Sequence, residues 1–145
     1  METTKNELPP YAKDFFRRLE DYVDTKVYYF GSIQRYDYFP EHSDIDVDLF
    51  TDNEGKTLAL LSNFLNTQKG EFHRFAYRLH QTNKLVYGYK IIYTEPEHDF
   101  STEISIYNEK DKKEVQAEHN FKSVLPIHVT VLLVMMKYFY YGRTC

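Results

Sequence analysis

The sequence predicts a mixed α/β (α+β) fold in which a small twisted β-sheet is flanked by helices packed on one side. Two observations predict this class. Apolar residues recur at helical spacing near the N-terminus, and apolar and charged residues alternate with period two in later segments. No repeat, low-complexity tract or Gly/Ser-rich linker divides the 145 residues. We therefore expect one domain, residues 1–145, with a single core.

The first predicted helix begins at the proline pair Pro9-Pro10, because proline is tolerated in a first helical turn. Its apolar residues share one face and are Tyr11, Phe15, Leu19 and Val23. The later segments are predicted, in order, as strand 27–30, a turn at Gly31, strand 44–50, helix 57–66, strands 72–79, 85–93 and 102–107, and helix 124–141. The polar stretch 94–99 is predicted as a loop.

Three aspartates share one face of the second predicted strand, since residues two apart on a strand project to the same side. They are Asp44, Asp46 and Asp48, and they alternate with Ile45, Val47 and Leu49. Neighbouring carboxylates repel one another and take up protons unless a cation lies between them. Magnesium prefers oxygen ligands. The pattern therefore predicts divalent cations at Asp44 and Asp46, with two Mg²⁺ ions expected and Mn²⁺ as an alternative.

A glycine turn precedes the acidic strand. Gly31 lets the backbone approach a phosphate closely, and Ser32 offers a hydroxyl and an N–H group. A helical turn after Ser32 would point further N–H groups at an anion. The turn and the strand together predict a site that holds the phosphates of a nucleotide beside its metal ions.

The sequence from Gly31-Ser32, through eleven intervening residues, to Asp44-Ile45-Asp46-Val47 resembles the signature of the DNA polymerase β-like nucleotidyltransferase superfamily. Ser43 and Arg35 also resemble the minimal (MNT-type) members. The resemblance implies a nucleotidyltransferase-like fold and a Mg²⁺-dependent enzyme. Such an enzyme transfers a nucleoside monophosphate from a nucleoside triphosphate to an acceptor.

The resemblance also implies a third carboxylate from a later strand. Glu103 is the first choice, because it lies on the polar side of the alternating strand 102–107, and Asp99 in the loop is the second. Asp48 departs from the family pattern, which is usually apolar there, and is either an outer-shell group or solvent-facing. The implied site comprises catalytic and metal-binding Asp44, Asp46 and Glu103, and nucleotide-binding Gly31, Ser32, Arg35 and Ser43.

Other interpretations of these residues are weaker. A calcium loop beginning at Asp44 would need Gly at its sixth position and Glu at its twelfth, where the chain has Leu49 and Gly55. A merely solvated strand face stays open for Asp48 and Glu103. The six histidines show no ligand spacing, and none is predicted to be catalytic. Of the tyrosines around the motif, Tyr28, Tyr29, Tyr36 and Tyr38, one could stack on a base, although core packing is favoured.

A second function belongs to another class. A catalytically weak or inactive member of this fold could act as a nucleotide-binding antitoxin or regulatory partner. The apolar helix 124–141 would then dock a partner protein or form a homodimer, since an apolar helix must be buried somewhere. The nucleotide, with ATP as first choice, and the acceptor, which could be protein, RNA or a small molecule, stay open.

Composition limits the ligands and the cellular compartment that we expect for this protein. The net charge of −4 argues against strong general affinity for nucleic acid. The lone cysteine, Cys145, allows no intrachain disulfide, and the N-terminus has no apolar segment of signal-peptide type. The most apolar segment, 127–141, contains His128 and Lys137, and the uncharged run between them is shorter than the roughly 20 residues that a membrane span needs. We therefore expect a cytoplasmic protein without a membrane segment.

Overall fold

The structure is a computed structural model that describes residues 4, 6–34 and 44–123. Its helices and strands are α1 (Pro10–Val23), β1 (Tyr28–Phe30), β2 (Ile45–Thr51), α2 (Glu54–Leu65), β3 (His73–Arg78), β4 (Leu85–Glu95), β5 (Phe100–Asn108) and α3 (Lys112–Ser123). A short 3₁₀ turn, Gly31–Gln34, follows β1 directly. The predicted helix 124–141 lies outside the described residues.

The five strands form one mixed sheet in the order β1-β2-β5-β4-β3. The central strands β2 and β5 are parallel, and the other neighbouring pairs are antiparallel. The predicted fold class, a small mixed sheet flanked by helices, is confirmed. The register places Asp46 opposite Phe30 on one side and opposite Glu103 on the other.

One face of the sheet is apolar and carries the main core. Alternation in β2 directs Ile45, Val47 and Leu49 to this face, where each side chain is at most 3% exposed. The helical period of α1 and α2 directs Phe16 and Leu61 into the same cluster. The opposite face of β2 therefore carries Asp46 and Asp48.

The helix α2 begins at Glu54, three residues before the predicted start at 57. The reason is a cap: the side chain of Asn53 accepts a hydrogen bond from the backbone N–H of Lys56 at 3.1 Å. The strand β4 likewise extends to Glu95, beyond the predicted boundary at 93.

The helix α3 corrects the sequence analysis, which did not predict it and placed all helices on one side. Val115 of α3 packs with Phe50 and Tyr107 in a second cluster on the acidic face of the sheet. The helix escaped prediction because its apolar periodicity is weak. Much of its buried surface is polar, and Glu118, only 1% exposed, accepts a hydrogen bond from the backbone N–H of His80.

No helix in the described part of the chain has the length and apolar character that crossing a membrane requires.

Candidate active site

The acidic face brings together two of the three carboxylates predicted to bind metal. Asp46 and Glu103 are direct neighbours across the parallel strands β2 and β5. Neighbouring strands lie about 4.8 Å apart, so the two carboxylates leave the sheet side by side. Both side chains are half-buried. Two acids of like charge therefore stand next to one another at the centre of the sheet.

The turn at Gly31 packs against the Asp46 carboxylate. Gly31 has a φ of +72°, in the left-handed region that favours glycine. A Cβ added at Gly31 would lie 2.3 Å from Oδ2 of Asp46, closer than nonbonded atoms can approach. The predicted proximity of the glycine turn to the acidic strand is thus present in the structure. The backbone of Ser32 belongs to the same 3₁₀ turn as Gly31.

Lys90 of β4 completes the charge pattern. Its Nζ lies 3.6 Å from Oε1 of Glu103, and it also lies 5.6 Å from the centre of the Phe75 ring. Lys90 was not predicted from the sequence. Its contact with Glu103 is diagonal across antiparallel strands, and this register cannot be read from either strand alone.

The other candidate ligands lie apart from this pair. Asp44 precedes β2 and is exposed. Asp99 is exposed in the turn before β5, at a φ of 50°. Within residues 4, 6–34 and 44–123, no three His, Cys, Asp or Glu side chains form a group that could hold a metal ion. Arg35 and Ser43 lie outside the described residues, as do Tyr36 and Tyr38.

Asp48 is buried rather than solvent-facing, which makes that alternative for Asp48 wrong. Its side chain is 2% exposed, and its Oδ2 accepts a hydrogen bond from Nε2 of His119 at 2.7 Å. Oδ1 has no hydrogen-bond partner among the described residues. Burial raises the pKa of Asp48 above its ordinary value, the nearby His119 opposes that rise, and the charge on Glu103 adds to it.

His119 is the functional candidate that the sequence analysis missed. Its imidazole stacks on Phe30 with ring centres 4.0 Å apart and planes 11° from parallel. It comes from α3, 71 residues after Asp48, so no local pattern links the two. The sequence offered only an indirect indication of this pair. Asp48 occupies a position that is usually apolar in the family pattern, and a buried acid there needs a polar partner from elsewhere in the chain.

A pocket of about 450 Å³ lies on the acidic face, within the range of about 300–1,000 Å³ typical of small-molecule sites. Its lining includes Phe30, Gly31, Asp46, Lys90, Glu103 and His119. Tyr29 lies in the main core, as favoured for the tyrosines near the motif. The half-buried Tyr28 packs edge-on against Phe50.

A family model described as a nucleotidyltransferase domain matches residues 11–139. The chain belongs to the nucleotidyltransferase family. The predicted family is confirmed at this level. The matched region of this nucleotidyltransferase contains the Gly31 turn, the acidic strand β2 and the Glu103 strand β5.

Among solved structures, the nucleotidyltransferase is similar to terminal uridylyl transferase 4 from Trypanosoma brucei with bound CTP. The two are 13% identical with a TM-score of 0.39, and the match covers 88% of this chain and 39% of that one. This chain therefore spans about two fifths of the length of the matched structure. No curated protein sequence is significantly similar.

Replacing Gly31 by Ala tests the contact between the turn and Asp46. We expect a loss of about 1–2 kcal/mol in the free energy of unfolding from the left-handed backbone alone, with a further loss from the displaced carboxylate. Urea unfolding measures the change. Gly70→Ala is the matched control, because a Cβ there would meet nothing within 4 Å. Equal stabilities of the two variants would contradict the contact.

Proposed function

We propose that this nucleotidyltransferase moves a nucleoside monophosphate from a nucleoside triphosphate to a hydroxyl acceptor in a Mg²⁺-dependent reaction. The supporting observation is the packing of the Gly31 turn against Asp46, with Glu103 alongside. A turn of backbone N–H groups favours phosphate, and adjacent carboxylates favour a hard cation. A nucleoside triphosphate with a bound divalent cation offers a phosphate to the turn and a cation to the carboxylates in one ligand.

Asp46 and Glu103 supply adjacent carboxylate oxygens, the ligand type that magnesium prefers. The exposed Asp44 lies apart from this pair, just before β2, and in this proposal its carboxylate joins them when the cations bind. We propose that these three residues hold two Mg²⁺ ions, for which Mn²⁺ can substitute. When bound, the ions supply charge neutralisation at the phosphates and lower the pKa of the acceptor hydroxyl.

The chain's own residues bind and orient the reactants in this proposal. The backbone at Gly31 and Ser32 binds the terminal phosphates, and Arg35 and Ser43 contribute to nucleotide binding. Glu103 polarises the acceptor hydroxyl while the oxygen of that hydroxyl attacks the α-phosphorus. The bond from that phosphorus to the bridging oxygen then breaks, pyrophosphate leaves, and the acceptor proton passes to a carboxylate or to water. Catalysis is mainly positioning and charge stabilisation.

The finer assignments are proposals of the same kind. ATP is our first choice of nucleotide, and the acceptor is a protein, an RNA or a small molecule. We propose one domain over residues 1–145 in a cytoplasmic setting, with segment 124–141 forming a homodimer or a partner contact.

One observation favours a second candidate function. Lys90 already neutralises part of the charge on Glu103, at a distance of 3.6 Å. A carboxylate paired with lysine is a weaker metal ligand, since the two cations compete for it. The alternative is therefore a catalytically weak or inactive domain that binds nucleotide as an antitoxin or regulatory partner.

The double variant Asp44→Asn, Asp46→Asn tests the proposed reaction. We expect it to lose Mg²⁺-dependent transfer of label from α-³²P-ATP, because neutral amides bind divalent cations far more weakly than carboxylates do. Asp52→Asn is the matched control, since Asp52 is exposed just after the same strand. It should keep the turnover of the unchanged protein.

Two results separate the candidates. Unchanged turnover in the double variant would refute the enzyme proposal. Absence of transfer with every acceptor class, combined with calorimetric binding of ATP to the unchanged protein, would favour the binding alternative.

Lys90→Met tests whether lysine competes for Glu103. We expect the Mg²⁺ concentration for half-maximal activity, or for half-maximal ATP binding, to fall about two- to five-fold. An ion pair this exposed is worth about 0.3–1 kcal/mol. Lys56→Met, at an exposed position on α2, is the control. A higher Mg²⁺ requirement in Lys90→Met would instead mean that the lysine serves the bound nucleotide.

A further inference from the structure

Asp48 and His119 form a carboxylate–histidine pair at the edge of the pocket. The histidine side chain is 13% exposed and the aspartate side chain 2%. Burying a carboxylate is costly unless it is paired, and one oxygen of Asp48 has no partner among the described residues. The proposed reaction gives neither residue a role. Because burying this carboxylate costs free energy, packing alone does not explain why an acid occupies position 48.

The pair reaches the proposed phosphate turn through one aromatic ring. His119 lies flat on Phe30, with ring centres 4.0 Å apart. Phe30 is the last residue of β1, directly before Gly31, and it is also the register partner of Asp46. A continuous set of contacts therefore runs from Asp48 through His119 and Phe30 to the turn at Gly31.

We propose that His119 is a positioning residue for nucleotide binding, an inference that rests on the proposed function. The hydrogen bond to Asp48 fixes the orientation of the imidazole, and the imidazole fixes Phe30. Phe30 in turn holds the Gly31 turn against Asp46, where the triphosphate binds. Partners that orient binding groups in this way typically change affinity or activity about 10- to 100-fold when removed.

The attachment of α3 to the sheet does not depend on this pair alone. Val115, 0% exposed, also packs against the sheet beside Phe50 and Tyr107. Replacing a buried ion pair by apolar residues is often neutral or stabilising. A structural role and a positioning role therefore predict different results, since an apolar replacement should keep the fold and lose the positioning.

The kinetic test compares His119→Ala with the unchanged protein in ATP-dependent transfer. We expect kcat/KM to fall about 10- to 100-fold, mainly through a higher KM for ATP, because the turn binds the nucleotide in the ground and transition states alike. His119→Gln keeps a donor for Asp48 and should recover part of the loss. His80→Ala is the matched control, because His80 pairs with the buried Glu118 of the same helix. It should leave kcat and KM unchanged.

A second measurement tests the positioning role of His119 without requiring enzymatic activity. The double variant Asp48→Leu, His119→Leu should fold with a Tm near that of the unchanged protein. Its Gly31 amide resonance in ¹H–¹⁵N NMR spectra of the ligand-free protein should nevertheless move well beyond the change seen in His80→Ala.

The outcomes are distinguishable. An unmoved Gly31 resonance in the folded double variant overturns the inference, and so does unchanged kcat/KM in His119→Ala. Absence of transfer and of ATP binding in the unchanged protein overturns the proposed function instead. The NMR result then still decides whether His119 positions the turn.

Discussion

The close packing of the Gly31 backbone against the Asp46 carboxylate is the contact on which the site depends. No side chain can occupy position 31 while Asp46 keeps its place, because a Cβ would lie 2.3 Å from Oδ2. The left-handed φ of +72° turns the chain away from β1 at that point. A single residue without a side chain thus brings the proposed phosphate-binding turn against Asp46, a proposed metal ligand.

The sheet serves the fold and the site through its two faces. Period-two alternation directs Ile45, Val47 and Leu49 into the main core, and the same alternation leaves Asp46 on the opposite face. Parallel pairing of β2 with β5 then adds Glu103 beside Asp46. The buried apolar face fixes the strands, and the strand register then places the two acids side by side.

How far the sequence predicts this structure depends on the range of the interaction. The Gly-Ser turn and the acidic strand were predictable because spacing and alternation are local patterns. Glu103 was chosen because the family resemblance implies a third carboxylate from a later strand, and alternation placed Glu103 on the polar side of such a strand. Lys90 was not predictable, because its contact with Glu103 depends on the register between two strands. His119 was not predictable, because it lies 71 residues from Asp48 in the chain. The polar helix α3 was missed because it buries the hydrogen-bonded Glu118 and a single apolar residue, Val115, rather than an apolar stripe.

A crystal structure with Mn²⁺ and a non-hydrolysable ATP analogue tests the central claim most directly. The account predicts anomalous density for Mn²⁺ at the carboxylates of Asp46 and Glu103, with the terminal phosphates on the backbone of the Gly31 turn. Nucleotide bound elsewhere on the protein, or Mn²⁺ absent from both carboxylates while nucleotide occupies the pocket, would contradict it.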